Sequence, residues 1–401
     1  MQCMSLLENA REMAEDLARL RQDLHTEPEL GLHLPRTQEK VLAALDGLPL
    51  EITTGDALSS VTAVLRGGRP GPAVLLRGDM DALPVTERTG LSYSSRLPER
   101  MHACGHDLHT AMLAGAARLL ADRRQDLAGD VIFMFQPGEE GWEGAKVMID
   151  EGVLDAAGER PVAAYGMHVL STVLPGGLFT SRGGPMLAAA DALTVTVRGR
   201  GGHGSTPHLS ADPIPAACQM VTALQTLVTR EFDVFDPVVV TVGAFHAGTA
   251  GNIIPDQAVL ELTVRTFSDT NREKIQKRII ELLMDTGTAY GLTVDAAFGR
   301  GYPVTVNDAK ESAFAGDVVG ELLGADRYAI APRPITGSED FSYVLEEVPG
   351  AFIALGACPP DLDPATAPYN HSAEAVFDDA VLPDGAAIYA ALAERRLSMA
   401  E

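Results

Sequence analysis

The chain has 401 residues, a formal net charge of −24 and 46% hydrophobic residues. This length and apolar content exclude an intrinsically disordered protein and favour two domains over one. The acidic balance argues against a nucleic-acid partner, and no apolar stretch reaches the roughly 18 residues that a membrane-spanning helix needs.

The N-terminal segment predicts an amphipathic surface helix. Apolar residues recur at helical spacing from Leu6 to Leu20, with charged residues between them. The segment has no basic region followed by an apolar run, so it is not read as a secretory signal. The four cysteines form no CxxC pair, which is typical of a reducing compartment. We therefore expect a cytoplasmic protein without disulfides.

Helices alternate with short β-rich runs through the first part of the chain. After the opening helix, helices are predicted at 36–45, 110–124 and 143–151, and strands at 60–65, 73–76, 131–135 and 163–169. Apolar strands separated by helices predict an α/β domain with a mixed, mostly parallel sheet flanked by helices.

The pattern changes near residue 186. Strands are predicted at 193–197, 238–245, 259–266 and 292–298, and helices at 213–230 and 271–290. Their order, β-α-β-β-α-β, predicts an α+β ferredoxin-like unit. Helices at 311–323 and 379–396 and a strand at 351–355 then return to the first fold. We therefore predict a catalytic domain of residues 1–186 and 300–401, with residues 187–299 inserted in it.

Two adjacent glutamates follow the apolar strand 131–135 through a Pro-Gly turn. Glu139 and Glu140 should therefore lie at the carboxyl edge of the sheet, where α/β proteins bind ligands. Neighbouring carboxylates on a loop point in different directions, so one can bind a metal while the other acts as a general base. Taken alone, the pair is more typical of a solvated acidic loop.

Cys104 and His106 are separated by one glycine. A thiolate and an imidazole at this spacing can bind one metal, or one metal each in a two-metal centre. A buried cysteine beside a core histidine is the structural alternative, and a Cys104 nucleophile activated by histidine is the rival chemistry. Further candidate ligands, His168 and His371, favour the metal.

Two further positions are candidates for supporting roles. Asp81 follows a predicted strand and can orient a histidine ligand, although Asp is also common in turns. His203 follows two glycines in the inserted domain and can donate to a developing oxyanion, although a surface loop explains it as well. Neither a GxxxxGK[ST] phosphate loop nor a GxSxG motif occurs in the sequence.

Several segments resemble the M20 metallopeptidase family, within its branch of hippurate hydrolases, N-acyl-amino-acid aminoacylases and indole-acetyl-amino-acid hydrolases. The matching segments are GDMDALP at 78–84, HACGHDLHT at 102–110, QPGEEG at 136–141, GHGSTPH at 202–208, GNIIPD at 251–256 and VRT at 264–266. They follow the family order along nearly the whole chain. The resemblance implies that the inserted domain is a lid and a dimerisation domain.

The resemblance also implies a role for each matching residue. Cys104 would bridge two divalent metals, whose other ligands would be His106, Glu140, His168 and His371. Glu139 would be the general base, Asp81 would stand behind the ligands, and His203 would stabilise the oxyanion, with a reach across a dimer. Asn252 and Arg265 would bind the substrate carboxylate, which the guanidinium fork matches.

These roles imply a metal-dependent amidohydrolase that cleaves N-acyl-L-amino acids such as hippurate to a carboxylic acid and a free amino acid. The metals would be zinc, manganese, nickel or cobalt. The protein would be a homodimer through the inserted domain, with the strand 193–197 as the candidate edge. An N-acetyl-diamino acid deacetylase of the same family and a metal-independent amidase using Cys104 are the alternatives. A non-catalytic binding protein would be expected to have lost Glu139 or a ligand, and none is missing.

Overall fold

A computed structural model describes residues 5–399, apart from the side chain of residue 300, so Cys3 lies outside the described residues. The helices are α1 Leu6–Glu12, α2 Ala14–Thr26, α3 Pro35–Leu45, α4 His106–Asp122, α5 Gly144–Asp150, α6 Pro213–Glu231, α7 Asp269–Ala289, α8 Ala309–Leu323, α9 Ser342–Glu347 and α10 Leu382–Ser398.

The strands of the described chain are two to thirteen residues long. They are β1 Leu50–Thr54, β2 Val61–Leu65, β3 Arg69–Asp79, β4 Ala128–Gln136, β5 Ala163–Pro175, β6 Phe179–Ser181, β7 Gly184–Leu187, β8 Ala189–Arg198, β9 Gly202–His203, β10 Val238–Ala247, β11 Ile253–Ile254, β12 Gln257–Thr266, β13 Thr293–Tyr302, β14 Thr305–Asn307, β15 Tyr328–Ile330 and β16 Gly350–Cys358.

The chain forms two compact units. Unit 1 comprises Met1–Met186, Val306–Arg333 and Asp340–Glu401, and unit 2 comprises Leu187–Thr305 and Pro334–Glu339. Unit 2 thus extends past residue 299, where the sequence predicts the return to the first fold. The reason is that β13 continues through the glycines at 299 and 301, with Gly301 paired to Asp191.

An eight-stranded sheet in the order β1-β2-β4-β3-β5-β16-β6-β15 forms the centre of unit 1. The inner strands β4, β3, β5 and β16 run parallel to one another, whereas β2 is antiparallel to β4 and β6 is antiparallel to β16. Their apolar residues are buried, and α4, α8 and α10 contact these strands. The predicted mixed, mostly parallel sheet flanked by helices is confirmed. Parallel strands bring their carboxyl ends to one edge, and the motif loops begin there.

Three elements of unit 1 differ in their bounds from the predictions. The opening helix is two helices, because the chain bends at Met13. Helix α4 begins at His106, four residues before the predicted start at 110, since Gly105 in a left-handed conformation ends the preceding loop. Strand β5 continues to Pro175, so His168 lies inside a strand and not at its end.

A four-stranded antiparallel sheet in the order β10-β12-β8-β13 forms unit 2. The apolar faces of α6 and α7 pack on it, around residues such as Met220, Leu260 and Ile279. This is the predicted β-α-β-β-α-β order. The expectation that the strand 193–197 lies at an edge is wrong, because β8 has a neighbour on each side. Its alternating residues show which face is buried, but not how many strands flank it.

The three described cysteines, Cys104, Cys218 and Cys358, are free thiols. None of the helices within residues 5–399 has the length and apolar character required to cross a membrane.

Candidate metal centre

The carboxylate of Asp81 holds the loop that carries the glutamate pair. Strands β3 and β4 are parallel neighbours that end at Asp79 and Gln136, so their loops begin side by side. Asp81 Oδ1 accepts the backbone N–H of Glu139 at 2.9 Å, and Oδ2 accepts that of Glu140 at 3.0 Å. Asp81 also lies 3.6 Å from His106 Nδ1, which is too long for a hydrogen bond. It therefore positions the two glutamates more directly than it orients a histidine.

Gly105 sets the directions of the two ligands beside it. Its φ of +86° is a left-handed conformation that favours glycine, and a Cβ at this position would lie 2.3 Å from Val169 Cγ2. The turn places His106 at the first position of α4, fully buried, while Cys104 is 7% exposed.

The predicted ligands of unit 1 converge on Cys104. Its Sγ lies 3.3 Å from His168 Nε2 and 3.2 Å from His371 Nε2. Candidate ligand atoms lie within 4.8 Å of one another in overlapping groups: Cys104, His106 and His168; Cys104, Glu140 and His371; and His106, Glu139 and Glu140. Cys104 belongs to two of these groups. The structure thus brings together all five predicted ligands and the predicted base.

Several of these atoms are buried without a hydrogen bond. Within residues 5–399, both ring nitrogens of His106 and Oε1 of Glu140 have no hydrogen-bond partner, although Oε1 lies 3.2 Å from His371 Nε2. Burying polar atoms in this way costs about 1–3 kcal/mol each. A cation would satisfy them, and sulfur, nitrogen and oxygen donors together suit a borderline divalent ion. The donor set therefore fits a metal.

Two histidines, the buried His109 and the half-buried His168, have their ring protons fixed by backbone groups. His168 Nδ1 donates to Val169 O at 2.8 Å, which leaves a lone pair on Nε2, facing Cys104. His109 Nε2 accepts the N–H of Val169 at 2.8 Å, so His109 Nδ1 carries the proton and donates to Asp79 at 2.5 Å. Burial lowers the pKa of His109, which keeps it neutral. The sequence assigned His109 no role.

A buried arginine binds Asp79, the residue that accepts the ring N–H of His109. Arg77 is fully buried and binds Asp79 at 2.6 Å, Asp340 at 3.0 Å and Gln136 Oε1 at 2.8 Å. Burial alone would raise the pKa of Asp79, but Arg77, His106 and His109 hold it well below its ordinary value. Asp340 also accepts the N–H of Ala145, at the start of α5. Sequence reasoning missed this network, whose one local signal is a charged residue in an apolar strand.

His371 approaches Cys104 from the turn that precedes the last helical segment. It has a φ of +71°, and its N–H donates to Ala103 O at 2.8 Å. Hydrogen bonding to Cys104 and the nearby Glu140 carboxylate raise the pKa of His371 to about 10. Since a histidine ligand must be deprotonated, a metal would compete with a proton here.

His203 and Asn252 lie on adjacent loops of unit 2. Gly204 N–H donates to Asn252 O at 2.8 Å, and His203 pairs with Ile253 in a short ladder. His203 Nδ1 accepts from Ser205 N at 3.1 Å, so a neutral ring carries its proton on Nε2. His203 is exposed, so its Nε2–H is available to donate a hydrogen bond.

Arg265 lies far from these two residues within one chain. Arg265 is on β12, where it pairs with Ala190 and Val239. The loops that carry His203 and Asn252 adjoin the other end of this strand pair, where Gln257 pairs with Arg198. Eight residues of extended strand from Gln257 to Arg265 span about 27 Å. The structure therefore joins His203 to Asn252 and separates both from Arg265.

A comparison with known proteins assigns this arrangement to a family. A model of peptidase family M20/M25/M40 matches residues 75–395. The chain belongs to this family. The chain is 36% identical over 392 residues to thermostable carboxypeptidase 1 of Saccharolobus solfataricus, covering 97% of each protein. It is 37% identical over 385 residues to the IAA-amino acid hydrolase ILR1-like 4 of Arabidopsis thaliana, covering 94% of this chain and 85% of that protein.

One relative of known structure is described as a metal-binding protein. The Bacillus subtilis YXEP protein, described as a dinuclear metal binding peptidase from the M20 family, matches this chain with a TM-score of 0.82 and 31% identity. The match covers 97% of this M20 chain and 99% of the solved one. The resemblance inferred from the motifs is thereby confirmed at the level of the family.

Proposed function

We propose that this M20 protein is a metal-dependent amidohydrolase that cleaves N-acyl-L-amino acids, including hippurate-like ones, to a carboxylic acid and a free amino acid. The observation that carries the proposal is the membership of Cys104 in two ligand groups, with Glu139 beside them. The name of one relative, an IAA-amino acid hydrolase, supports an amino-acid conjugate as substrate. The dinuclear description of the solved relative supports two cations.

The ligand groups support two cation positions. Cys104, His106 and His168 would hold one cation, and Cys104, Glu140 and His371 the other. Divalent cations bound there would polarise the carbonyl of a bound amide and lower the pKa of the attacking water. The buried Arg77–Asp79–His109 chain holds the surrounding side chains in fixed orientations, as supporting contacts around metal ligands do.

Glu139 is the group that moves the proton. Glu139 is 7% exposed and its backbone N–H is held by Asp81. Its carboxylate therefore lies beside Glu140 and His106. The carboxylate accepts a proton from the attacking water and delivers it to the nitrogen of the leaving amino acid. General-base catalysis of this kind contributes about 10²–10⁴-fold in rate.

Unit 2 supplies the groups that bind the rest of the substrate. His203 donates from Nε2–H to the developing oxyanion, with Asn252 beside it, and Arg265 binds the substrate carboxylate through its fork. Because about 27 Å of strand separate these groups, one substrate meets His203 and Asn252 of one protomer and Arg265 of the other. The functional protein is accordingly a homodimer.

Strand β10 is the edge that favours the dimer. It is an outer strand of ten residues that contains neither lysine nor proline, and Val239 and Phe245 on it are exposed. A long edge without charges is a template for pairing with another chain. Pairing of β10 with its copy would cover this edge.

The test is a substrate panel measured with and without added metal. Purified protein is assayed on N-benzoyl, N-acetyl and indole-acetyl amino acids and on an N-acetyl-diamino acid. We expect turnover of an N-acyl amino acid that a chelator abolishes and added metal restores. Preference for the N-acetyl-diamino acid would favour the deacetylase. No turnover across the panel at full metal occupancy would refute the proposal.

Two variants separate the metal mechanism from a cysteine amidase. Glu139→Gln should lower kcat by about 10²–10⁴-fold while retaining bound metal. Glu159→Gln is the matched control, since Glu159 is an exposed glutamate of the same unit. A Cys104 amidase would keep its activity in chelator and lose it to a thiol alkylator, whereas the metal enzyme should lose its activity to chelator and regain it on addition of metal.

A further inference from the structure

Asn370 contacts the backbone of two ligand-bearing segments from the position just before a third ligand. Its Nδ2 donates to Cys104 O at 3.2 Å and to Val169 O at 3.0 Å. Its Oδ1 accepts from the backbone N–H and the hydroxyl of Ser171, both at 3.0 Å. The residue is 8% exposed. Both amide hydrogens and the amide oxygen thus have hydrogen-bond partners inside the protein.

These bonds connect segments that are remote in the sequence. Cys104 lies 266 residues before Asn370 and belongs to the loop before α4, while Val169 follows His168 in β5. The same Val169 carbonyl accepts the ring N–H of His168. Asn370 Nδ2 also lies 3.8 Å from Cys104 Sγ. One amide therefore fixes the backbone around two ligands and the ring orientation of the second.

The third ligand adjoins the amide directly. His371 has a left-handed φ of +71°, a conformation that costs about 1–3 kcal/mol for a residue other than glycine. It persists only where neighbouring bonds hold it. His371 N–H bonds to Ala103 O, next to Cys104, and the Asn370 side chain anchors the preceding residue to the same loop.

We propose that Asn370 is a positioning residue that preorganises Cys104, His168 and His371 for metal before any cation binds. The inference rests on the proposed metal site and deepens it. Removing the amide leaves the three ligands in place but frees their backbone segments. The expected consequence is weaker metal binding, of the order of 10–100-fold, as for other contacts behind metal ligands.

Asn307 provides a matched control within unit 1. It is also a buried asparagine, 2% exposed, and its Nδ2 donates to Ser181 Oγ and to the carbonyls of Arg182 and Phe352. Its Oδ1 accepts Phe352 N–H at 2.7 Å. It contacts none of the proposed ligands, so Asn307→Ala reports the loss of a buried amide network without the loss of ligand positioning.

The experiment titrates Co²⁺ into the metal-free full chain and follows the thiolate-to-cobalt absorption, with Zn²⁺ affinity measured by competition with a chromophoric chelator. Asn370→Ala should raise the Kd for Zn²⁺ about 10–100-fold. Asn307→Ala should lower Tm but change the Kd by less than about threefold. Asn370→Ser, which keeps a small polar side chain, should give an intermediate Kd and serves if the alanine variant does not fold.

The inference is overturned if Asn370→Ala and Asn370→Ser bind Zn²⁺ as tightly as the unmodified chain. It is also overturned if Asn307→Ala loses as much affinity as Asn370→Ala, since the effect would then be general destabilisation. Absence of the thiolate-to-cobalt absorption in the unmodified chain would refute the proposed metal site itself. That result is distinguishable, because it precedes any comparison of variants.

Discussion

Mixing two inactive variants of unit 2 should restore activity if each substrate is bound by both protomers. His203→Ala removes the proposed oxyanion donor and Arg265→Ala removes the proposed carboxylate clamp. In a mixed dimer, one site combines the intact Arg265 of the first protomer with the intact His203 of the second. That site is complete, whereas the other lacks both groups.

The expected magnitude follows from the span of β12 and the symmetry of a dimer. About 27 Å separate Arg265 from the loop end of its own strand, which is much longer than a hippurate-sized molecule. A mixed dimer has one complete site of two, so the purified mixed dimer should recover about half of the unmodified activity. A random mixture, in which about half of the dimers are mixed, should recover about a quarter. Each variant alone should lose at least about 100-fold in kcat/KM.

The assay purifies the mixed dimer with a different affinity tag on each protomer and measures kcat/KM on the best substrate of the panel. The mixture of His203→Ala with Asn252→Ala is the matched control. Both residues lie on the same side of the strand gap, so that mixed dimer has no complete site and should stay inactive. Equal activity of the two mixed dimers, or no recovery in the first, would refute the assignment of Arg265 and His203 to different protomers.

Three further perturbations test the buried contacts of unit 1. Asp81→Ala removes the acceptor of the Glu139 and Glu140 N–H groups, so Zn²⁺ affinity measured by calorimetry should fall about 10–100-fold, and unchanged affinity would contradict the anchoring role. Burial alone would raise the pKa of Glu87, but hydrogen bonds with His25, Thr89 and Ser95 outweigh it. They lower the pKa to about 2, below its ordinary value of 4.5. This difference contributes about 3 kcal/mol to the free energy of unfolding above pH 4.5, and it is lost as the pH falls towards 2. In urea titrations, the difference in free energy of unfolding between the unmodified chain and Glu87→Gln should therefore shrink by more than half from pH 7 to pH 3. A constant difference would contradict the lowered pKa of Glu87. Phe133→Ala, in the fully buried part of β4, should lower the free energy of unfolding by about 3–5 kcal/mol, and a loss below about 1 kcal/mol would show that the core is not packed as described.

The sequence was sufficient to predict the strands and helices whose signals come from neighbouring residues. The apolar run 131–135 and the alternation at 193–197 each depend on neighbouring residues, and both are strands in the structure. The β-α-β-β-α-β order followed from such runs. The position of β8 inside its sheet did not, because strand neighbours are set by tertiary pairing and not by side-chain alternation.

The candidate ligands could be predicted from the sequence, but the contacts that hold them in place could not. Cys104, His106 and Glu140 lie in motifs with recognisable spacing, and the structure brings them together. Arg77 and Asp340, by contrast, are 263 residues apart, and no local pattern pairs them. The same is true of Asn370. Such contacts exist only once the strands have been ordered, so a single sequence gives no signal for them.

The boundary of the insertion shows the limit of breaker residues as signals. The predicted boundary at 299–300 lies at the glycines 299 and 301, but β13 passes through them to Tyr302 with a register shift. Glycine inside a strand often marks a bulge. Only the pairing of Gly301 with Asp191 distinguishes a bulge from the end of the strand.

The most direct test of the account is anomalous diffraction from crystals of the metal-loaded protein, recorded at the absorption edge of the bound metal. The account predicts two peaks about 3.5–4 Å apart. Cys104 Sγ should lie within about 2.3 Å of both if zinc is bound. His106 and His168 should lie at one peak, and Glu140 and His371 at the other. A single peak, or two peaks that do not share Cys104 Sγ, would contradict it.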